Sequence, residues 1–157
     1  MTDFGSLYTR YAPDVFRFAL YLSGNREEAE DITSETFVRA WTAPEPIRMA
    51  TVKGYLLTIA RNLYLQSLRK KRRHVALDED LRDPGPEPHV RAEQSSEVRA
   101  VLAGLRTLSE VDRAAMLMRA VDGMSHEEIA RALGISLAAS KVKIHRARIA
   151  LLGLRNA

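Results

Sequence analysis

Residues 125–148 read SHEEIARALGISLAASKVKIHRAR. Ser125 stands three residues before Glu128, the spacing of a helix N-cap with an acid in the first turn. Gly134 follows the apolar-periodic run and supplies the left-handed turn that ends a helix. Ser136 then caps a second helix, expected over Leu137–Leu152. A short helix, a glycine turn and a longer helix spell a helix-turn-helix. At helical spacing the second helix buries Ile144, Ala147 and Leu151, and Ser140 falls on the same arc. Ala138, Lys141, Val142, His145 and Arg148 lie largely opposite, with Lys143 and Arg146 on the flanks. After Glu128 no Asp or Glu occurs, while Arg131, Lys141, Lys143, Arg146, Arg148 and Arg155 all follow. A helix that only needed solubility would mix signs, so the one-sided charge points to nucleic acid. A helical hairpin with a basic surface and no ligand would spell the same pattern.

The rest of this half is helical too. Ser109 with Asp112 opens the helix before, and Gly123 closes it. Upstream the pattern breaks. HVALDEDLRDPGPEPHVRAEQSSE, residues 74–97, holds three prolines, a glycine and an acidic cluster. Proline lacks the amide proton that continues a helix, so a flexible linker is expected. Two all-α domains follow from this, over residues 3–73 and 98–154.

The N-terminal half predicts three helices. The first runs from about Phe4 to Leu22, interrupted near Pro13 and ended by Gly24. The second, Arg26–Trp41, is capped by Asn25 with Glu28. It buries Ala29, Ile32, Thr36, Phe37, Ala40 and Trp41, and turns Asp31, Ser34, Glu35 and Val38 outward. The third, about Thr51–Arg73, buries Val52, Tyr55, Leu56, Ile59, Ala60 and Leu63. Its other face carries Thr58, Arg61, Leu65, Arg69 and Arg72, with Asn62 beside them. Between Glu45 and Asp78 there is no acid. Basic residues at a helix C-terminus are favoured by the helix dipole alone. Two acid-free basic helices in one small chain weigh toward nucleic acid.

Composition bounds the rest. The chain has 157 residues, 46% of them hydrophobic, and a formal net charge of +4. It has no cysteine, which excludes disulfides and thiolate metal sites. His74, His89, His126 and His145 lack ligand spacing, so no metal or other cofactor is expected. No glycine-rich phosphate loop and no arguable catalytic pair point to an enzyme. No apolar run is long enough to span a bilayer, and the start lacks signal-peptide character. A cytoplasmic protein without membrane insertion is the expectation.

Three segments in order, LYTRYAPDVFRFALYLSGNREEAEDITSETFVRAW, GYLLTIARNLYLQSLRKKRR and MSHEEIARALGISLAASKVKIHRAR, resemble the diagnostic segments of extracytoplasmic-function (ECF) bacterial sigma factors. The resemblance covers nearly the whole chain. It implies a promoter-specificity subunit of RNA polymerase. Asp31, Ser34, Glu35 and Val38 would then meet core RNA polymerase. Thr58, Arg61, Asn62, Leu65, Arg69 and Arg72 would hold the melted minus-ten element. Ser136, Ala138, Lys141, Val142, Lys143, His145 and Arg146 would read the minus-thirty-five element as duplex. It also implies an anti-sigma factor as a partner. Tyr64 and Trp41 could stack on bases, but each lies at the edge of a buried stripe and reads as core. Ser34, Gln66, Ala139, Ser140 and Val142 depart from the family pattern. The rival reading is a stand-alone helix-turn-helix regulator that binds operators as a dimer.

Overall fold

The computed structural model describes residues 4–43, 49–77 and 96–155. The described residues form seven helices and no strand: α1 (Phe4–Ser23), α2 (Arg26–Thr42), α3 (Val52–Leu77), α4 (Ser96–Arg106), α5 (Glu110–Ala120), α6 (His126–Leu133) and α7 (Leu137–Arg155). Helices α1–α3 pack against one another, and α5–α7 do the same with α4 alongside.

The helix boundaries follow local chemistry. Asn25 accepts the Glu28 amide at 2.9 Å, Ser109 the Asp112 amide at 3.2 Å, Ser125 the Glu128 amide at 3.1 Å and Ser136 the Ala139 amide at 3.0 Å. Each satisfies an orphan donor of the first turn and contributes about 1 kcal/mol. Gly134 ends α6 at φ 67°, a conformation that strains any residue with a Cβ.

Pro13 does not interrupt α1, which is continuous through it. The proline lies on the exposed side, where the carbonyl it leaves unbonded faces water. Helix α3 runs to Leu77, so the first four residues of the expected linker are helical, and α4 already starts at Ser96. The remainder of that linker, 78–95, lies outside the described residues.

The core of the first unit joins Val15, Phe18, Ala19 and Leu22 to Ala29, Ile32 and Phe37 and to Leu56, Leu57 and Ala60. Leu105, Ala115, Met118, Ile129, Ile144 and Ala147 fill the second. Buried side chains of the two units form one continuous cluster. Truncating one of the largest, Phe37, to alanine would cost about 3–5 kcal/mol.

This union corrects the expected face of α3. Leu56, Ile59 and Ala60 are buried as expected, but Val52 is 47% exposed. Thr58 and Arg61 are buried instead, Arg61 because the second unit covers it, while Tyr64 is core as expected and also meets that unit through Arg113. Periodicity within α3 registers two apolar faces poorly when the second partner arrives through polar contacts. Trp41 is corrected as well. It is 54% exposed at the end of α2, edge-on to Phe4 at 5.5 Å, with Tyr8 stacked on Phe4 and edge-on to Phe37.

Candidate nucleic-acid and polymerase interfaces

On α2, Ile32, Thr33, Thr36 and Phe37 face the core and leave Asp31, Ser34, Glu35 and Val38 exposed. Glu35 accepts from Arg39 one turn on at 3.1 Å. An i,i+4 pair so exposed contributes only a few tenths of a kcal/mol, so it restrains the carboxylate weakly. Phe4, Tyr8 and Trp41 also expose their rings, with Phe4 edge-on to Trp41 at the end of α2. Sequence reasoning missed them as surface, although Phe4 and Tyr8 are spaced i,i+4, as are Phe37 and Trp41. A groove of about 350 Å³ between α1 and α2 reaches this face at Ser34.

The expected minus-ten set divides in two. Asn62, Arg69 and Arg72 are exposed, and Leu65 is half-buried. Thr58 is buried, its hydroxyl donating to the Gly54 carbonyl at 2.7 Å. Arg61 is buried and bidentate, with Nε 2.8 Å and Nη2 2.9 Å from the two Glu110 oxygens. In the basic run that ends α3, Lys71 donates to Glu28 at 2.8 Å, and Ser67 donates to the same carboxylate at 2.6 Å.

On α7, Ile144 and Ala147 are fully buried and Leu151 half-buried. Ser140 is fully buried too, and its hydroxyl lies 3.4 Å from the His126 carbonyl. Small size and a backbone acceptor let this polar residue pack tightly between α6 and α7. Ala138, Lys141, Val142, His145 and Arg148 are exposed, with Val142 at 59%. An apolar side chain amid cations suits a thymine methyl between phosphates. Ser136 spends its oxygen on the helix cap. Arg146 is committed inward: Nε and Nη2 donate to Asp112 at 2.9 and 2.7 Å, and Lys143 stands 3.9 Å from the same carboxylate. Hydrogen bonds and charge from Asp112 hold the Arg146 guanidinium above its ordinary pKa. Its side chain stays 58% exposed, so its outer edge is open.

A second polar system joins the units, and sequence reasoning did not find it. Burial, and then the nearby Arg106, push the Arg113 guanidinium below its ordinary pKa. Arg113 donates to the carbonyls of Leu105, Leu108 and Leu22 at 3.0, 3.2 and 2.7 Å. Arg106 also donates to Leu22, at 3.0 Å. The Asp122 carboxylate is wholly buried 3.5 Å from Arg17, and neither of its oxygens has a hydrogen-bond partner. Burial raises its pKa to about 6 against the pull of Arg17 and Lys53. No His, Asp or Glu cluster among the described residues could hold a metal ion. No described helix is long and apolar enough to cross a membrane.

Residues 7–74 match the family model of sigma-70 region 2, and residues 99–151 match that of sigma-70 region 4. The two matches make this an all-α, two-domain chain of the sigma-70 class, with region 2 on α1–α3 and region 4 on α4–α7. Among characterised proteins, the ECF sigma factor SigE of Mycolicibacterium smegmatis is 36% identical over 94% of this chain and 60% of its own length. SigM of Bacillus subtilis is 30% identical over 96% of this chain and 93% of its own. The chain belongs to the ECF family of RNA polymerase sigma factors, which is not an enzyme family. The sigma factor RpoE from Bartonella quintana, solved with the anti-sigma factor NepR, superimposes with a TM-score of 0.83 at 26% identity over 100% of this chain and 99% of that one. CnrH, solved with the cytosolic domain of CnrY, gives 0.72 at 26% identity over 98% of this chain and 87% of that one. A stand-alone operator-binding regulator is not favoured, because region 2 precedes the helix-turn-helix.

Proposed function

We propose that this sigma factor binds core RNA polymerase through α2, reads the minus-thirty-five element as duplex with α7, and holds melted minus-ten DNA on α3. The single observation that carries the reading is the ordered match to region 2 over α1–α3 and to region 4 over α4–α7. The surfaces supply the chemistry. Asp31, Ser34, Glu35 and Val38 offer an acidic face around an apolar spot, suited to a basic partner helix. Asn62, Arg69 and Arg72 on the exposed side of α3, with half-buried Leu65, offer phosphate and base contacts to an unstacked strand; Arg61 joins them only when Glu110 releases it, and Thr58 lies buried beneath them. Lys141, Val142 and His145, with Ser136, Ala138, Lys143 and Arg146, lie on the helix that a helix-turn-helix inserts into the major groove.

The units are helices α1–α3 and α4–α7, with the segment between Leu77 and Ser96 as tether. The protein acts without a cofactor and is not itself an enzyme; the polymerase performs the chemistry. It works in the cytoplasm. An anti-sigma factor is a natural partner, since two of its structural neighbours were solved in complexes, one with an anti-sigma factor. Run-off transcription with core enzyme on genomic fragments tests the function. Defined start sites that require both proteins are expected. No start sites, together with self-association and tight duplex binding without polymerase, would return the regulator reading.

A further inference from the structure

Asp14, Arg17, Lys53 and Asp122 meet where the two units touch, and their charges are unevenly matched. Asp14 and Arg17 come from α1, Lys53 from the start of α3, and Asp122 from the turn between α5 and α6. Arg17 donates to Asp14 at 3.0 Å, and Lys53 stands 3.8 Å from the other Asp14 oxygen. The Asp14 side chain is 26% exposed, so water reaches it, yet it takes both cations. Asp122 is wholly buried 3.5 Å from Arg17, and neither of its oxygens accepts a hydrogen bond. The Arg17 Nε is buried and unpartnered as well. The charged groups of Asp122's own unit are turned elsewhere. Arg119 donates to the Met124 carbonyl at 2.9 Å, Glu128 accepts from Thr51, and Glu127 is exposed. His126 begins α6 with its Nδ1 buried and unpartnered. A buried carboxylate without donors is costly as an anion and tolerated as an acid, because the proton removes the charge that water no longer solvates.

We propose that Asp122 is a proton-binding switch in the contact between the units: protonated, it holds them together; ionised, it loosens them. The site belongs to the contact itself, since Asp14, Arg17 and Lys53 all lie on the other unit. Parting the units returns the carboxylate to water and to its ordinary affinity for protons. The docked chain therefore binds the proton more tightly, and docking strengthens on acidification. Burial raises the docked carboxyl to about 6 from 3.8, against the pull of Arg17 and Lys53. The contribution to docking is full below about pH 4, declines between about 4 and 6, and is absent above that interval. The ligand is the proton alone, so the inference stands whatever either unit binds.

The absence of cysteine makes the test direct. Dyes on Glu27→Cys and Arg131→Cys, both exposed and on different units, report docking by energy transfer in the full chain. The docking constant should fall about tenfold between about pH 5 and 7.5, with helicity by circular dichroism unchanged. Asp122→Asn, isosteric and uncharged, should keep full transfer at the upper pH and lose the slope. Arg17→Gln should move the midpoint to higher pH, because the nearest cation opposing protonation is gone. Histidine in general titrates in this interval, so His126→Gln is the control and should keep the wild-type response. Flat transfer in wild type, a slope retained in Asp122→Asn or a slope abolished in His126→Gln would overturn the switch. A midpoint unmoved or lowered in Arg17→Gln would overturn it too. The measurement needs neither polymerase nor DNA, so no result depends on whether the chain supports transcription.

Discussion

Gly54→Ala isolates one interdomain contact by shape alone. The added Cβ would overlap Glu128 Oε1 and lie 2.7 Å from its Cδ and 3.0 Å from Thr51 Oγ1. The carboxylate must leave, giving up hydrogen bonds from the Thr51 amide and hydroxyl. Bonds to a charged group are worth about 1.5–3 kcal/mol each, and partial rehydration of the carboxylate returns some of this. A loss of about 2–4 kcal/mol is reasonable for the pair. Against it, alanine gains at most about 1 kcal/mol over glycine, since Gly54 is only the third residue of α3. Urea unfolding of the full chain, followed by circular dichroism, should therefore show a net loss of about 1–3 kcal/mol. The decisive comparison is the same substitution in a Glu128→Ala background. There the carboxylate is already gone, helix propensity and the 3.0 Å contact with Thr51 Oγ1 remain, and Gly54→Ala should be near neutral or stabilising by up to about 1 kcal/mol. Equal destabilisation in both backgrounds would refute the account, because the cost would then come from somewhere other than Glu128.

Asp122→Asn tests the buried carboxylate. Its folded pKa of about 6 lies above the ordinary 3.8, so the folded state holds the proton more tightly and stability falls as pH rises between about 4 and 6. The interval is worth about 3 kcal/mol. The Asn variant should match wild type near pH 4, exceed it by up to that amount at pH 7.5 and lack its pH slope; parallel unfolding curves across this range would disprove the assignment. Lys141→Ala with His145→Ala should weaken closed-promoter recruitment, and a pre-melted bubble template should not restore it; Arg146 is a poor choice here, since its loss strands a buried Asp112. Asn62→Ala with Arg69→Ala should instead spare recruitment and be rescued by the bubble, as read by permanganate reactivity on matched templates. Asn25→Ala should cost about 1 kcal/mol in thermal or urea unfolding through loss of the α2 cap.

The local grammar of this chain was readable from its residues. Caps at Asn25, Ser109, Ser125 and Ser136 and the stop at Gly134 set helix ends through contacts within four residues. The buried arc Ile144–Ala147, with Ser140, followed from spacing. What could not be read was the partner of each polar side chain across the chain. Arg61 and Glu110 are 49 residues apart and Thr51 and Glu128 are 77 apart, and periodicity carries no term for such pairs. Arg61 therefore read as an open cation when it is a buried one. Trp41 failed for the converse reason: it satisfies the period of α2, yet among the described residues it stays 54% exposed, with Phe4 edge-on to it.

The capping acids have a consequence beyond each helix. Glu28, Asp112 and Glu128 occupy the same place, third in the first turn after an Asn or Ser cap. Each sends its carboxylate to a distant element: to Ser67 and Lys71, to Arg146, and to Thr51. Fraying of the first turn of α2, α5 or α6 thus swings away the group that anchors α3 or α7. Helix nucleation and tertiary docking share one carboxylate in three places. Helices α2, α5 and α6 cannot melt one at a time from their N-termini without releasing a neighbour, which turns three local transitions into a cooperative one.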